Sequence, residues 1–148
     1  MDLGTSVLLQ YALCEFISRG YLKAHLRRTV EEYRARRDAL VDVLSSGLPK
    51  SIQWTPPSHG VVLWLLLPDW LDLAQVLREA EREGVLVTPG VLYSASGHNH
   101  RGLRLTYCGE PTDRIAEGGR RLCRAIERVM QSVDADSRPT TPSTIGVV

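Results

Sequence analysis

The side chains that could do chemistry in this chain are few, and most stand in patterns that chemistry does not need. His98, Asn99 and His100 put two imidazoles close together, with Cys108 further along. A metal site needs three or four ligands, and no third one falls at a usual spacing, so the stretch reads as a solvated loop. His25 sits among the arginines of a helical stretch and His59 at the entrance to a strand; neither has around it the nucleophile and acid of a catalytic triad. Cys14, Cys108 and Cys123 lack a C-x-x-C spacing and read as reduced thiols that fill small apolar sites. Arg104 is different. Residues 103–107 alternate, with Leu103 and Leu105 on one face and Arg104 and Thr106 on the other. A guanidinium on a rigid strand offers a planar fork that matches a carboxylate bidentately. An exposed strand arginine is also an ordinary surface charge, and periodicity does not choose between the two.

The elements that must hold Arg104 are legible in the apolar periodicity. Thr5 or Ser6 is placed to cap a helix carrying Leu8, Leu9, Ala12, Leu13, Phe16 and Ile17 at helical spacing up to Gly20. A longer helix follows, with Leu22, Leu26, Val30, Tyr33, Leu40 and Leu44 on one stripe, ending at Gly47 and Pro49. Its arginines 27, 28, 34, 36 and 37 are interleaved with Glu31, Glu32 and Asp38, the pattern of a salt-bridged, solvated face. "SIQW" is a short strand candidate, and residues 61–67, "VVLWLLL", suit a strand covered on both faces. Asp72 and Gln75 suggest a capped helix over 73–83 closed by Gly84, and residues 85–87 a brief strand. Pro111 opens a last helix whose paired Gly118 and Gly119 predict a close backbone contact. Trp54, Trp64 and Trp70 read as core or edge packing.

The expected fold class is therefore an α/β (α+β) sandwich: a small mixed, mostly antiparallel sheet covered by helices, with a long N-terminal helical arm. Residues 1–47 form the arm, 48–131 a small α/β domain continuous with it, and 132–148 a Thr/Pro-rich tail without periodicity, expected to be disordered. The length of 148 residues, with 43% hydrophobic and 24% charged, suits one domain with a real core. A net charge of +1 supplies no field toward nucleic acid or an anionic membrane. The N-terminus has neither the basic start of a signal peptide nor an apolar run long enough to span a bilayer. A cytoplasmic setting is the expectation.

Five stretches together go further: "EYRARRDAL", "WTPPSHGVVLWLLLP", "EGVLVTPGVLY", "LRLTY" and "IAEGGRRL". In order and spacing they resemble the C-terminal small domain of the fold-type I aminotransferases that use pyridoxal phosphate. The nearest resemblance is to 2-aminoadipate and aromatic-type enzymes and to the aminotransferase-like half of GntR/MocR regulators. The resemblance implies that Arg104 binds the α-carboxylate of an amino or 2-oxo acid. It implies too that Gly60, Gly90 and Tyr93, with Pro89, line the substrate mouth. His59 stands where the family usually has the first of two glycines and adds bulk to that approach.

The family's Schiff-base lysine, its acid and its phosphate donors come from a large domain. Lys23 lies on an arginine-rich helix and Lys50 in a turn, neither in a motif of the Schiff-base kind. The expectation is a substrate-carboxylate domain without catalytic residues of its own. Pyridoxal phosphate belongs to the full-length family and is not bound covalently by this chain. The implied partners are an amino or 2-oxo acid, the large domain and a second subunit in a homodimer, with no nucleic acid and no membrane. Two alternatives stand beside it: the effector-sensing part of a MocR-type regulator, and a stand-alone interaction module.

Overall fold

The computed structural model describes residues 6–95 and 101–136. Helix α1 covers Val7–Ser18, and Gly20, in the left-handed region at φ 77°, turns the chain into α2, Tyr21–Gly47. Four strands follow: β1 at Gln53–Trp54, β2 at Val62–Leu66, β3 at Thr88–Pro89 and β4 at Gly102–Thr106. Helix α3, Leu73–Arg82, lies between β2 and β3, a 3-10 turn over Gly90–Tyr93 follows β3, and α4 runs over Thr112–Asp136. The sheet order is β1-β2-β4-β3 and all three pairings are antiparallel, where a small mixed, mostly antiparallel sheet was expected.

Local chemistry explains most of the boundaries. The Asp72 carboxylate accepts a 3.0 Å hydrogen bond from Ala74 N at the start of α3, satisfying one of the donors a helix leaves unpaired. At its other end Gly84, at φ 77°, lets Val85 N reach Ala80 O and Gly84 N reach Glu81 O. That pair of bonds is the Schellman arrangement, which a residue bearing a Cβ would enter only under strain. The stop carries the chain across residues 85–87 without ladder pairing, so the strand expected there forms instead at Thr88–Pro89, where β4 is within reach.

One cluster of buried residues joins Leu40 and Leu44 of α2, Val76 and Ala80 of α3 and Leu122, Ile126 and Val129 of α4 to one face of the sheet. Leu63 and Leu65 of β2 and Leu103 and Leu105 of β4 supply that face. The paired glycines of α4 divide the expected roles. A Cβ on Gly119 would stand 3.1 Å from both Leu40 Cδ1 and Val43 Cγ1, so this is where α4 crosses α2 closely, whereas a Cβ on Gly118 meets nothing within 4 Å.

Several expectations change in the structure. Residues 62–66 are covered on one face only: Trp64 is 41% exposed between buried Leu63 and Leu65. The α2 stripe is buried only at Leu40 and Leu44, while Leu26 and Val30 are exposed together with the apolar residues of α1. Cys14 lies on that exposed arm rather than filling a core site; Cys123 alone of the three is buried. Arg36 and Arg37 pair with Glu32 and Asp38, whereas Arg27, Arg28 and Arg34 are exposed and form no ion pair among the described residues. Helix α4 continues through residues 132–136, expected as tail; the rest of the tail lies outside the described residues.

Candidate carboxylate site on the open sheet face

The alternation that buries Leu103 and Leu105 turns Arg104 to the other face, and the strand register decides what it meets there. Trp64 of β2 is its partner on one side and Thr88 of β3 on the other. These three side chains form one row across the sheet, because residues directly opposite in an antiparallel pair project to the same face. The turn after β3 adds a fourth. Gly90, itself buried, opens the 3-10 turn, and three residues on Tyr93 comes back over the row. Arg104 Cζ stands 4.9 Å from the centre of the Tyr93 ring, and Arg104 Nη1 donates a 3.3 Å hydrogen bond to Tyr93 Oη. The Trp64 ring stands T-shaped to the same ring, with centroids 5.9 Å apart and an interplanar angle of 85°, one of the preferred aromatic geometries.

What Arg104 lacks is a carboxylate. Among the described residues five arginines are half-buried: Arg36, Arg37, Arg101, Arg104 and Arg121. Four of them hold an acid, in Glu32, Asp38, Asp69 and Glu117 respectively. Arg104 holds only a phenol. A guanidinium has five N–H donors, and the hydrogen bond to Tyr93 engages one of them.

The other residues expected at the substrate mouth divide. Gly90 and Tyr93 reach the Arg104 row through the turn. Gly60 lies four residues before Trp64 on the approach to β2. Its φ of +83° and the empty space around its would-be Cβ show a backbone turn rather than a close approach. Its carbonyl accepts a 2.8 Å hydrogen bond from the hydroxyl of buried Tyr107, and burial raises the Tyr107 pKa. His59 Nδ1 lies 2.8 Å from Ser58 Oγ and is exposed. Lys23 is on the exposed half of α2 and Lys50 in the turn after it; neither touches Arg104, Tyr93 or Trp64. His98 and His100 lie outside the described residues, among which no group of three potential metal ligands occurs.

Trp64 and Thr88 were not singled out as site residues from the sequence. The alternation in "VVLWLLL" does put Trp64 opposite Leu63 and Leu65, but the register that sets it beside Arg104 is a tertiary fact.

A second charged cluster, on the helical side, ties α3 to α4. Glu83, the last residue of the α3 turn, binds Arg124 at 3.0 Å and Arg128 at 2.6 Å, and its carbonyl accepts from Arg121 Nη1 at 3.1 Å. The Arg124 hydrogen bond, followed by the charge of Arg128, holds the Glu83 carboxyl below the usual carboxylate range. Hydrogen bonds from Arg121 and Arg120 do the same for Glu117. These arginines are spent on carboxylates of the chain itself and leave no comparable fork for a ligand.

Known proteins resemble this chain over most of its length. Residues 3–122 match the family model for aminotransferase class I and II. Aromatic-amino-acid aminotransferase 1 of Thermococcus litoralis is 31% identical over 131 residues, 88% of this chain and 31% of that protein. An uncharacterized HTH-type transcriptional regulator of Bacillus subtilis, YisV, is 29% identical over 88% of this chain and 27% of its own length. The crystal structure of LysN, the alpha-aminoadipate aminotransferase of Thermus thermophilus, complexed with N-(5'-phosphopyridoxyl)-L-leucine, superposes with a TM-score of 0.80 at 33% identity. It covers 88% of this chain and 33% of that one. The chain spans about a third of the length of the curated relatives it matches.

Proposed function

Because the chain belongs to the class I and II aminotransferases, we propose that it carries the carboxylate-recognising part of an amino-acid aminotransferase, with Arg104 as the clamp. The observation that carries this reading is the unpaired fork: Arg104 is the one half-buried arginine among the described residues without an acid, and it faces away from the core. The guanidinium would take the α-carboxylate of an amino or 2-oxo acid, with Tyr93 and Gly90 shaping the approach. The chain's own contribution is to bind and orient, which is a large share of catalysis when a reacting group must be held in line.

Pyridoxal phosphate, when bound in such an enzyme, supplies the electron sink for amino-group transfer and needs a lysine for its Schiff base. The described residues do not fit it. Lys23 and Lys50 lie away from the Arg104 row, and the candidate acids nearest in sequence are exposed or paired with arginines. On this reading the lysine, the acid and the phosphate donors come from the two thirds of the relatives that this chain does not match, and the chain alone does not transaminate. A homodimer and a cytoplasmic setting go with the same reading; no described helix is long and apolar enough to cross a membrane.

The test is a titration of the chain with 2-oxoglutarate, followed through the Arg Nε–Hε signals of the labelled protein. Saturable binding is expected, lost in Arg104→Leu with a cost of roughly 2 to 5 kcal/mol. Equal affinity of the two proteins would defeat the assignment.

The likeness to YisV supports a second reading, in which the same clamp holds an effector carboxylate inside a transcription regulator. A DNA-binding segment in the same polypeptide would favour it over the enzyme.

A further inference from the structure

Arginine has a long side chain with much rotamer freedom to lose, and on an open strand face nothing in the strand itself holds its plane. Here three side chains close a triangle around that problem. Trp64 and Arg104 face each other by register on β2 and β4, starting about 5 Å apart at their Cβ atoms. The third corner is Tyr93, whose ring lies 4.9 Å from the guanidinium carbon and 5.9 Å from the indole. Tyr93 comes from a 3-10 turn and is 54% exposed, so solvent borders much of its ring. Among the described residues the T-shaped contact with Trp64 is the one contact the Tyr93 ring makes with another aromatic ring. The engaged nitrogen also matters. Nη1, which donates to Tyr93 Oη, is the terminal nitrogen on the Cδ side of the guanidinium; the side-on fork of Nε and Nη2 is left for a ligand.

We propose that Trp64 is a positioning residue for Arg104, acting through Tyr93: the indole braces the phenol ring, the ring sets the guanidinium plane, and the plane presents the Nε/Nη2 fork to a carboxylate. This rests on the reading of Arg104 as a carboxylate clamp for its purpose, but not for its geometry, which is measurable without ligand.

The experiment uses the labelled 148-residue chain, with the Arg104 Nε–Hε signal assigned by its loss in Arg104→Lys, and propionate as the carboxylate probe. In the free protein the Tyr93 ring shifts the Arg104 signal upfield. Tyr93→Leu returns it to the ordinary arginine position, and Trp64→Leu moves it by about half that distance or more, with the amides of Leu63, Leu65 and Leu103 unmoved. Trp64→Phe, which keeps an aromatic edge, leaves it near its original place. Propionate affinity falls roughly threefold to tenfold in Trp64→Leu and changes little in Trp64→Phe. An Arg104 signal in Trp64→Leu that coincides with the unsubstituted chain, while Tyr93→Leu shifts it, overturns the proposal. Wild-type propionate affinity in Arg104→Lys refutes the clamp reading instead, and the ligand-free shift still decides the role of Trp64.

Discussion

The two faces of the four-stranded sheet are built from alternate residues of the same strands, yet they do opposite things. On the closed face Leu63, Leu65, Leu103 and Leu105 are buried against α2, α3 and α4. On the open face the alternate rungs carry Trp64, Arg104 and Thr106, all in contact with solvent. Burial of a large apolar side chain contributes about 1.5 to 3 kcal/mol, so the closed face supplies stability. The open face carries the one half-buried arginine among the described residues left without an acid, and on the reading proposed above it supplies binding capacity. A shift of one residue in register would exchange the two sets; the leucines therefore hold Arg104 outward as firmly as they hold themselves inward.

The sharpest way to break this division is to truncate one residue on each face of β4. Leu103→Ala, at a fully buried site, is expected to cost about 2 to 5 kcal/mol in denaturant unfolding. Arg104→Leu, its chain neighbour, is expected to stay within about 0.5 kcal/mol of the original stability while losing carboxylate binding. Comparable destabilisation by both would mean that the open face is structural after all.

The α4 glycines make a second, smaller pair. Gly119→Ala forces Leu40 and Val43 to give way and is expected to lose about 1 to 3 kcal/mol to overpacking. Gly118→Ala, with free space around its Cβ, is expected to gain somewhat under about 1 kcal/mol from helix propensity. Thermal unfolding of the two variants should bracket the parent; the same sign for both would mean that α2 and α4 do not cross at Gly119.

The helical side should also be the pH-sensitive one. Glu83 and Glu117 have lowered pKa values, so each contributes stability above the ordinary carboxylate pKa that is lost as the pH falls through its lowered folded value. Melting temperature should drop on that acid limb, and Glu83→Gln should flatten it; an unchanged slope would show the Arg124 and Arg128 contacts to be idle. At the alkaline end burial pushes the Cys123 thiol up to about 11. Its contribution is complete below the ordinary thiol value and is lost as the pH rises through the folded one. At neutral pH, alkylation should label exposed Cys14 quickly and buried Cys123 only on unfolding; equal rates would contradict the packing of α4.

Much of this was open to reading in the sequence because it is local. The 3.6-residue spacing of Val76 and Ala80, the Asp72 cap and the Gly84 stop each act within one helical turn, and all three form where their pattern puts them. The alternation around Arg104 likewise set its face. Residues 85–87 misled, since a short apolar run meets the requirement for a strand only if a partner is within reach, and the partner is at Thr88. The α2 stripe misled in the same way: Leu26 and Val30 have the periodicity of buried residues, but periodicity records which side of a helix is apolar and not whether anything covers it.

By itself, then, the sequence determined the helices, the stops of the first three, the outward direction of Arg104 and, through five short stretches, the family. The tertiary structure alone decided that Trp64 and Thr88 flank Arg104, that Tyr93 returns over it, and that the acids which neutralise its half-buried fellows are placed elsewhere. The physical reason is range. Caps, turns and side-chain alternation follow from contacts a few residues apart, whereas an arginine's partners are set by strand register, which brings together positions as far apart as 64 and 104.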